Sequence, residues 1–319
     1  MKILIIKLGA LGDIINSSSV IQQICRHHND DEIHLLTSTN FKDFFSEFKK
    51  LNVVSFERQG VKQTIETIFW IRKKKFDRIY DLQSNDRTTL YCSFSGCAYI
   101  AGNHPRFPYH VHPQSKYVGQ CHSFERLNQI LESANISKAT DRPFLPISDK
   151  VKKEVSDWII KAKISEESFV LLHAGSSPTH KNKRWPFFLK LATYLSKQHK
   201  IIWIGGIDDV ELNKSYSKEI GIDATNQFTI LALSELGKKA AFAVTNDSAP
   251  MHILSCSGIP VFGLFGPTYA RRTHALGQFD NVITAQKDIA KNDKEFIPED
   301  ISKISVEKVI NKLNKKNLL

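Results

Sequence analysis

The residues whose types and spacing suit chemistry begin with the run Asn246-Asp247-Ser248-Ala249-Pro250-Met251-His252, which follows the apolar stretch 240–244. A strand is expected to end here and a helix to begin. Helix starts carry unpaired backbone N–H groups and the positive end of the helix dipole, so they bind phosphate. Asp247 or Ser248 is suited to cap such a helix. Ala249 is small enough for a ligand to approach, and Pro250 fits an early helical position. His252 then falls on the first turn and is expected to point back at the same ligand. The chemistry implied is capture of an anionic sugar or nucleotide; the plainer reading is an ordinary capped helix.

A second run, 173–186, supplies complementary charge. Gly175, Ser176 and Ser177 offer backbone N–H groups and hydroxyls after a strand, and Lys183 and Arg184 place two cations just before a helix expected from Pro186. Together they would neutralise a diphosphate leaving group. The order of a Walker loop is absent, and a solvated basic loop is the alternative. Gly205-Gly206-Ile207-Asp208-Asp209 ends another strand. Its glycines let a base or ribose lie against the backbone, and Asp208 or Asp209 is able either to accept ribose hydroxyls or to cap a helix. Lys7-Leu8-Gly9-Ala10-Leu11-Gly12-Asp13 joins the first strand to the first helix, without the GxGxxG spacing of a dinucleotide fold. Asp13 is either an N-cap or a general base that takes a proton from an attacking hydroxyl.

These runs need elements that position them. In the first half, 3–7, 33–36, 53–56 and 78–82 read as strands, with helices at 14–26, 41–49 and 61–74. That alternation predicts a parallel sheet covered on both faces. Residues 101–121 read as irregular, and Arg142-Pro143-Phe144-Leu145-Pro146 as a linker. The second half repeats the pattern, with strands at 169–173, 201–204, 242–245 and 261–265 and a helix at 185–198. Two βα domains are expected, 1–145 and 146–319, with ligands beyond the carboxyl ends of the strands in a cleft between them. Val306, Val309, Ile310 and Leu313 have helical spacing, so the last segment is an amphipathic helix. It is expected to pack on the protein, with the N-terminal domain as a possible seat, rather than lie on a membrane.

Composition narrows the class. A chain of 319 residues, 41% hydrophobic and 24% charged, is ordinary globular protein, and no apolar run is long enough to span a bilayer. The net charge of +11 implies an anionic partner. Arg72-Lys73-Lys74-Lys75 reads as a solvated helix end, and no zinc finger, basic zipper or RNP-like signature points to nucleic acid. The five cysteines, Cys25, Cys92, Cys97, Cys121 and Cys256, form no CxxC pair, which favours reduced thiols in the cytosol. The spacing of Cys92, Cys97 and Cys121 from His104, His110, His112 and His122 matches no familiar zinc pattern, so no metal is expected.

Leu11-Gly12-Asp13, the loop ending Lys183-Arg184-Trp185-Pro186, and Asn246 to His252 running on to Phe265-Gly266-Pro267-Thr268 together resemble the family 9 glycosyltransferases, the ADP-heptose:lipopolysaccharide heptosyltransferases. Asp81-Leu82-Gln83 with Arg87, and His122 with Glu125-Arg126, add weaker similarities. The resemblance spans nearly the whole chain in order. It implies a GT-B fold of two Rossmann-like domains, acceptor-binding then donor-binding. It also implies inverting, metal-independent transfer of heptose from ADP-heptose to the lipopolysaccharide core, with no cofactor. Asp13 matches the family's base, and Lys183 the lysine that meets the donor phosphates. Ser176 and Ser177 match its small hydroxyl residues, and Asp247, Ser248, Ala249 and His252 its donor-binding turn. Arg184 is expected to assist, with Gly205, Gly206 and Asp209 near the nucleotide. The chain departs from the family where Ala249 replaces a common Gly, Ser19 a common Pro, and Lys7 a usual Arg. These departures leave room for another nucleotide sugar and a different surface glycan; a non-catalytic nucleotide-sugar binding protein is the other alternative. The basic charge fits a lipid-linked acceptor, hence a cytoplasmic protein held peripherally on the inner leaflet of the inner membrane.

Overall fold

The computed structural model describes residues 1–56, 60–114, 122–165, 167–292 and 294–319. The chain divides into two compact units, Met1–Pro146 and Ile147–Leu319. In the first unit, β1 (Lys2–Ile6), β2 (Glu32–Ser38), β3 (Asn52–Phe56), β4 (Arg78–Asp81) and β5 (Ile100–Ala101) form a parallel sheet in the order β3-β2-β1-β4-β5. Its helices are α1 (Leu11–His27), α2 (Val61–Lys74), α3 (Asp86–Ser93) and α4 (Ser123–Ser133). In the second unit, β6 (Phe169–His173), β7 (Lys200–Trp203), β8 (Ile222–Asp223), β9 (Ala243–Asn246), β10 (Val261–Phe265) and β11 (Ile283–Thr284) form a parallel sheet in the order β11-β10-β9-β6-β7-β8. Its helices are α5 (Asp149–Lys161), α6 (Phe188–Leu195), α7 (Val210–Glu219), α8 (Ile230–Gly237), α9 (Ala249–Ser255), α10 (Ala270–Thr273) and α11 (Val306–Asn314).

The central strands are apolar throughout because helices cover both sheet faces. β1 buries four of its five residues and β6 all five. In register, Ile3 lies opposite Ile33 on one side and Arg78 on the other. The first core gathers Leu4, Ile6, Leu36, Ile79 and Tyr91; the second is built round Trp185, Phe188, Trp203, Phe242 and Phe262. Trp185 also spends its indole N–H on the Ile304 carbonyl at 2.8 Å, so the ring is buried without an orphaned donor.

One expectation changes. Residues 41–49 are not one helix but short 3₁₀ turns, Thr39–Phe41 and Asp43–Phe45. Phe44, Phe45 and Phe48 pack ring on ring there, with centroids 4.8–6.2 Å apart, so tertiary packing decides over a short helix of aromatic and polar residues. The closing helix α11 buries Val309 and Leu313 completely in the second unit's own core, where each contributes about 1.5–3 kcal/mol. Its apolar face is thus used in that unit, as packing on the protein requires. Among the described residues no helix is long and apolar enough to cross a membrane.

Candidate active site

The carboxyl ends of β6, β7 and β9 bring three loops together in the second unit. Asn246, the last residue of β9, joins two of them. Its side-chain N–H₂ donates to the Ala174 and Gly175 carbonyls at 2.8 and 2.9 Å, and its oxygen accepts from the Trp185 backbone N–H at 3.1 Å. The side chain is fully buried and every polar atom is engaged. The loops enclose an open pocket of about 370 Å³, lined by Ser176, Ser177, Lys183, Gly206, Asp209, Asp247, Ser248 and Ala249, with His173, His180, Asp208 and Pro250 completing it.

Charges in this pocket are paired in advance. Lys183 Nζ lies 2.7 Å from Asp247 Oδ2 and leans on the Asp247 carbonyl at 3.4 Å. Buried His173 bridges two groups: Nε2 lies 3.3 Å from Asp209 Oδ2, and Nδ1 lies 2.9 Å from Ser248 Oγ. Asp209 also accepts from the Gly206 N–H at 3.1 Å, with Arg184 3.8 Å away. Burial pushes the Asp209 carboxyl up, but the hydrogen bond and charge of His173, the Gly206 N–H and Arg184 outweigh it and hold it below the ordinary carboxylate range. Arg184 further donates to Ser176 Oγ and to the Ser176 carbonyl, at 3.2 and 3.1 Å, which fixes the serine loop.

Ser248 stands at the N-cap of α9 but makes no side-chain cap; its hydroxyl is turned to His173 and to the Asn246 carbonyl at 3.3 Å. The expected cap is therefore absent, and the first amides of α9 face the pocket wall formed by Ser248, Ala249 and Pro250 without a side-chain acceptor. Such a wall, beside Lys183 and the serine hydroxyls, suits a phosphate. His252 does not join it. It lies a turn into α9, buried, outside the pocket lining, because the helix carries it past the mouth. Gly205 also stays out of the lining, pressed against Asp209, and Arg184 acts from behind through Ser176 and Asp209.

In the first unit, the loop after β1 is held from below. Gln83 accepts from the Leu8 and Gly9 N–H groups at 3.0 and 3.2 Å. Asp81, wholly buried, accepts from the Gln83 and Ser84 N–H groups at 3.0 and 2.8 Å and from the Tyr109 hydroxyl at 2.7 Å. Burial still pushes its carboxyl up. Lys7 is buried too and donates to the Leu82 carbonyl at 3.1 Å; burial lowers its pKa, against the charges of Asp13 and Asp81. Asp81-Leu82-Gln83 is thus the brace of the loop. The N-cap of α1 is Ala10, so Asp13 is not the cap; it sits half-buried in the first turn and makes no hydrogen bond or ion pair among the described residues. Farther on, His122 caps α4, and Arg126 holds the Asn103 carbonyl at 2.7 Å.

Sequence reasoning missed His173 and Asn246 as site residues. A visible signal existed: each is a polar residue at the carboxyl end of a buried strand. Among the described residues no group of three His, Cys, Asp or Glu side chains is arranged to hold a metal ion; Cys121 lies outside the described residues.

Residues 70–300 match the model of glycosyltransferase family 9 (heptosyltransferase). Lipopolysaccharide heptosyltransferase 1 of Campylobacter coli is 26% identical, with 97% of each chain covered. Among solved structures, a glycosyl transferase family 9 protein of Veillonella parvula superposes with a TM-score of 0.83 at 19% identity, over 98% of this chain and 96% of that one. E. coli ADP-heptose lps heptosyltransferase II superposes at 0.76 and 19%, over 99% and 98%.

Proposed function

Because the chain belongs to glycosyltransferase family 9, the heptosyltransferases, we propose that it moves heptose from ADP-heptose to the inner core of lipopolysaccharide, with inversion and without a metal ion. It is a glycosyltransferase of the GT-B fold. The observation that carries the reading is the second unit's pocket, where uncapped α9 amides, Lys183 and the hydroxyls of Ser176 and Ser177 converge. The donor named for the E. coli structure and the lipopolysaccharide named for the Campylobacter relative support the substrate pair.

In this mechanism the second unit holds the donor. The diphosphate meets Ser248, Ala249 and Lys183, and Asp209 with Gly206 receives the ribose side. Asp13, on the acceptor-binding first unit, takes the proton of an acceptor hydroxyl. That oxygen forms its bond to the anomeric carbon from the face opposite the diphosphate, and the anomeric bond to the diphosphate breaks. ADP leaves with its negative charge met by Lys183 and the helix amides, already oriented before the reaction, which is where such charge is most effective. The acceptor is lipid-linked, and the charge of +11 supports work at the anionic inner leaflet. One observation favours a second reading. Ala249 lines the pocket, and its methyl narrows the approach, which suits a different nucleotide sugar for a surface glycan.

The deciding experiment is ADP release from ADP-heptose with a panel of core acceptors in EDTA. Release that needs a core acceptor and survives EDTA supports the proposal. No release, with tight binding of another nucleotide sugar, moves the function to that donor.

A further inference from the structure

The outer face of α2 carries Val61, Ile65 and Phe69 at i, i+4 and i+8, which are 76%, 47% and 68% exposed. Beside it, α3 and its C-cap expose Leu90 and Phe94, at 41% and 54%. The two helices pack together, and Arg72 of α2 donates to the Phe94 carbonyl at 3.1 Å. Eleven large apolar side chains are exposed among the described residues, and five of them lie on this pair of helices. Exposed apolar residues scattered singly need no explanation; a shared face does. The contrast with α11, whose apolar stripe is sunk in the core, shows that this fold does cover such stripes.

Cations outnumber acids on this pair of helices. Lys62 lies beside the stripe, Arg72 and Lys73 stand in the last turn of α2 with Lys75 following, and α3 adds Arg87 against the exposed Asp86. Glu66, the one acid of α2, is paired with Lys62 at 3.9 Å. An apolar stripe flanked by cations matches an interface with acyl chains below and phosphates above. A second copy of this face would bring cation against cation, which opposes self-association.

We propose that the α2–α3 face docks on an anionic phospholipid bilayer, with Val61, Ile65, Phe69, Leu90 and Phe94 entering the headgroup boundary and the α2 cations meeting lipid phosphates. The proposal rests on the reading that the enzyme works at a membrane surface, and it says which part of the protein touches it.

The test uses the whole protein with vesicles of phosphatidylglycerol in phosphatidylcholine, against pure phosphatidylcholine. The wild type should co-sediment with the anionic vesicles and release with salt. The variant carrying Ile65→Ser and Phe69→Ser should bind on the order of tenfold more weakly, with an unchanged melting temperature. Phe69→Trp should show a new emission that brominated lipid quenches, so the face remains testable if the double variant folds poorly. Equal binding of wild type and double variant, with the new indole emission of Phe69→Trp unquenched, overturns this face and leaves the membrane reading standing. No binding by the wild type overturns both. A wild-type dimer that the double variant dissociates assigns the face to self-association instead and overturns the proposal.

Discussion

The loop after β1 and the pocket at the ends of β6, β7 and β9 stand at the same place in two similar units, yet they treat charge in opposite ways. In the second unit the pocket's lysine and its buried carboxylates are engaged before a ligand arrives: Lys183 with Asp247, and Asp209 with His173, the Gly206 N–H and Arg184. In the first unit the neighbours are locked, Lys7 on the Leu82 carbonyl and Asp81 in its brace, while Asp13, in the first turn of α1, feels the charge of Lys7 but makes no hydrogen bond or ion pair among the described residues. A network whose members hold one another suits recognition of a fixed anion. A carboxylate with no hydrogen-bond partner of its own, near a rigid loop, suits one that must accept a proton.

The comparison breaks most sharply at Asp13. Asp13→Asn should lower turnover by roughly 10²–10⁴ and leave the donor dissociation constant within about twofold. Calorimetry with donor beside an ADP-release assay reads both, and lost donor affinity would place Asp13 among the binding groups. Next is Asn246. Asn246→Ala strands the Ala174 and Gly175 carbonyls and the Trp185 N–H in a buried site. Urea unfolding should show a loss of about 2–4 kcal/mol, and a loss under about 0.5 kcal/mol would mean that the loops hold themselves. Lys183→Ala should weaken ADP binding by about tenfold or more, because Asp247 loses its partner beside an anionic ligand; unchanged affinity would remove Lys183 from the phosphate site.

The smallest effect is in acid. Asp209's folded pKa lies below its ordinary 3.8, so the folded state binds that proton less readily than the unfolded chain. Its stabilising contribution is therefore complete above 3.8 and is lost as the pH falls through the lower folded value. Melting curves of wild type and Asp209→Asn should differ at neutral pH and converge in strong acid. A gap that widens in acid would reverse the sign.

Local pattern made some of this legible. The apolar stripe of α2 set its bounds, Val61–Lys74, because a helix repeat depends only on nearby residues. The apolar runs of β1, β6 and β10 marked the two parallel sheets for the same reason. Residues 41–49 misled because three phenylalanines answer to the core and not to the helix repeat. At the candidate site, the pocket-lining serines, Lys183 and Asp247 were visible as a charged loop and a helix start. The roles of Asn246 and His173 were not, since each rests on partners 36 to 75 positions away. Ser248 looked like a cap for the same reason: nothing local reveals the histidine that claims its hydroxyl.

Gly175 and Gly205 press on Asp209 so closely that a β-carbon at either position would run into its carboxylate. The carboxylate is buried and held by His173 and the Gly206 N–H, so it has no room to swing aside. The three positions therefore behave as one heritable unit. A lineage that gives up the acid frees both glycines to drift, whereas one that keeps it is confined to glycine at both. Among related chains, 175, 205 and 209 should change together or not at all.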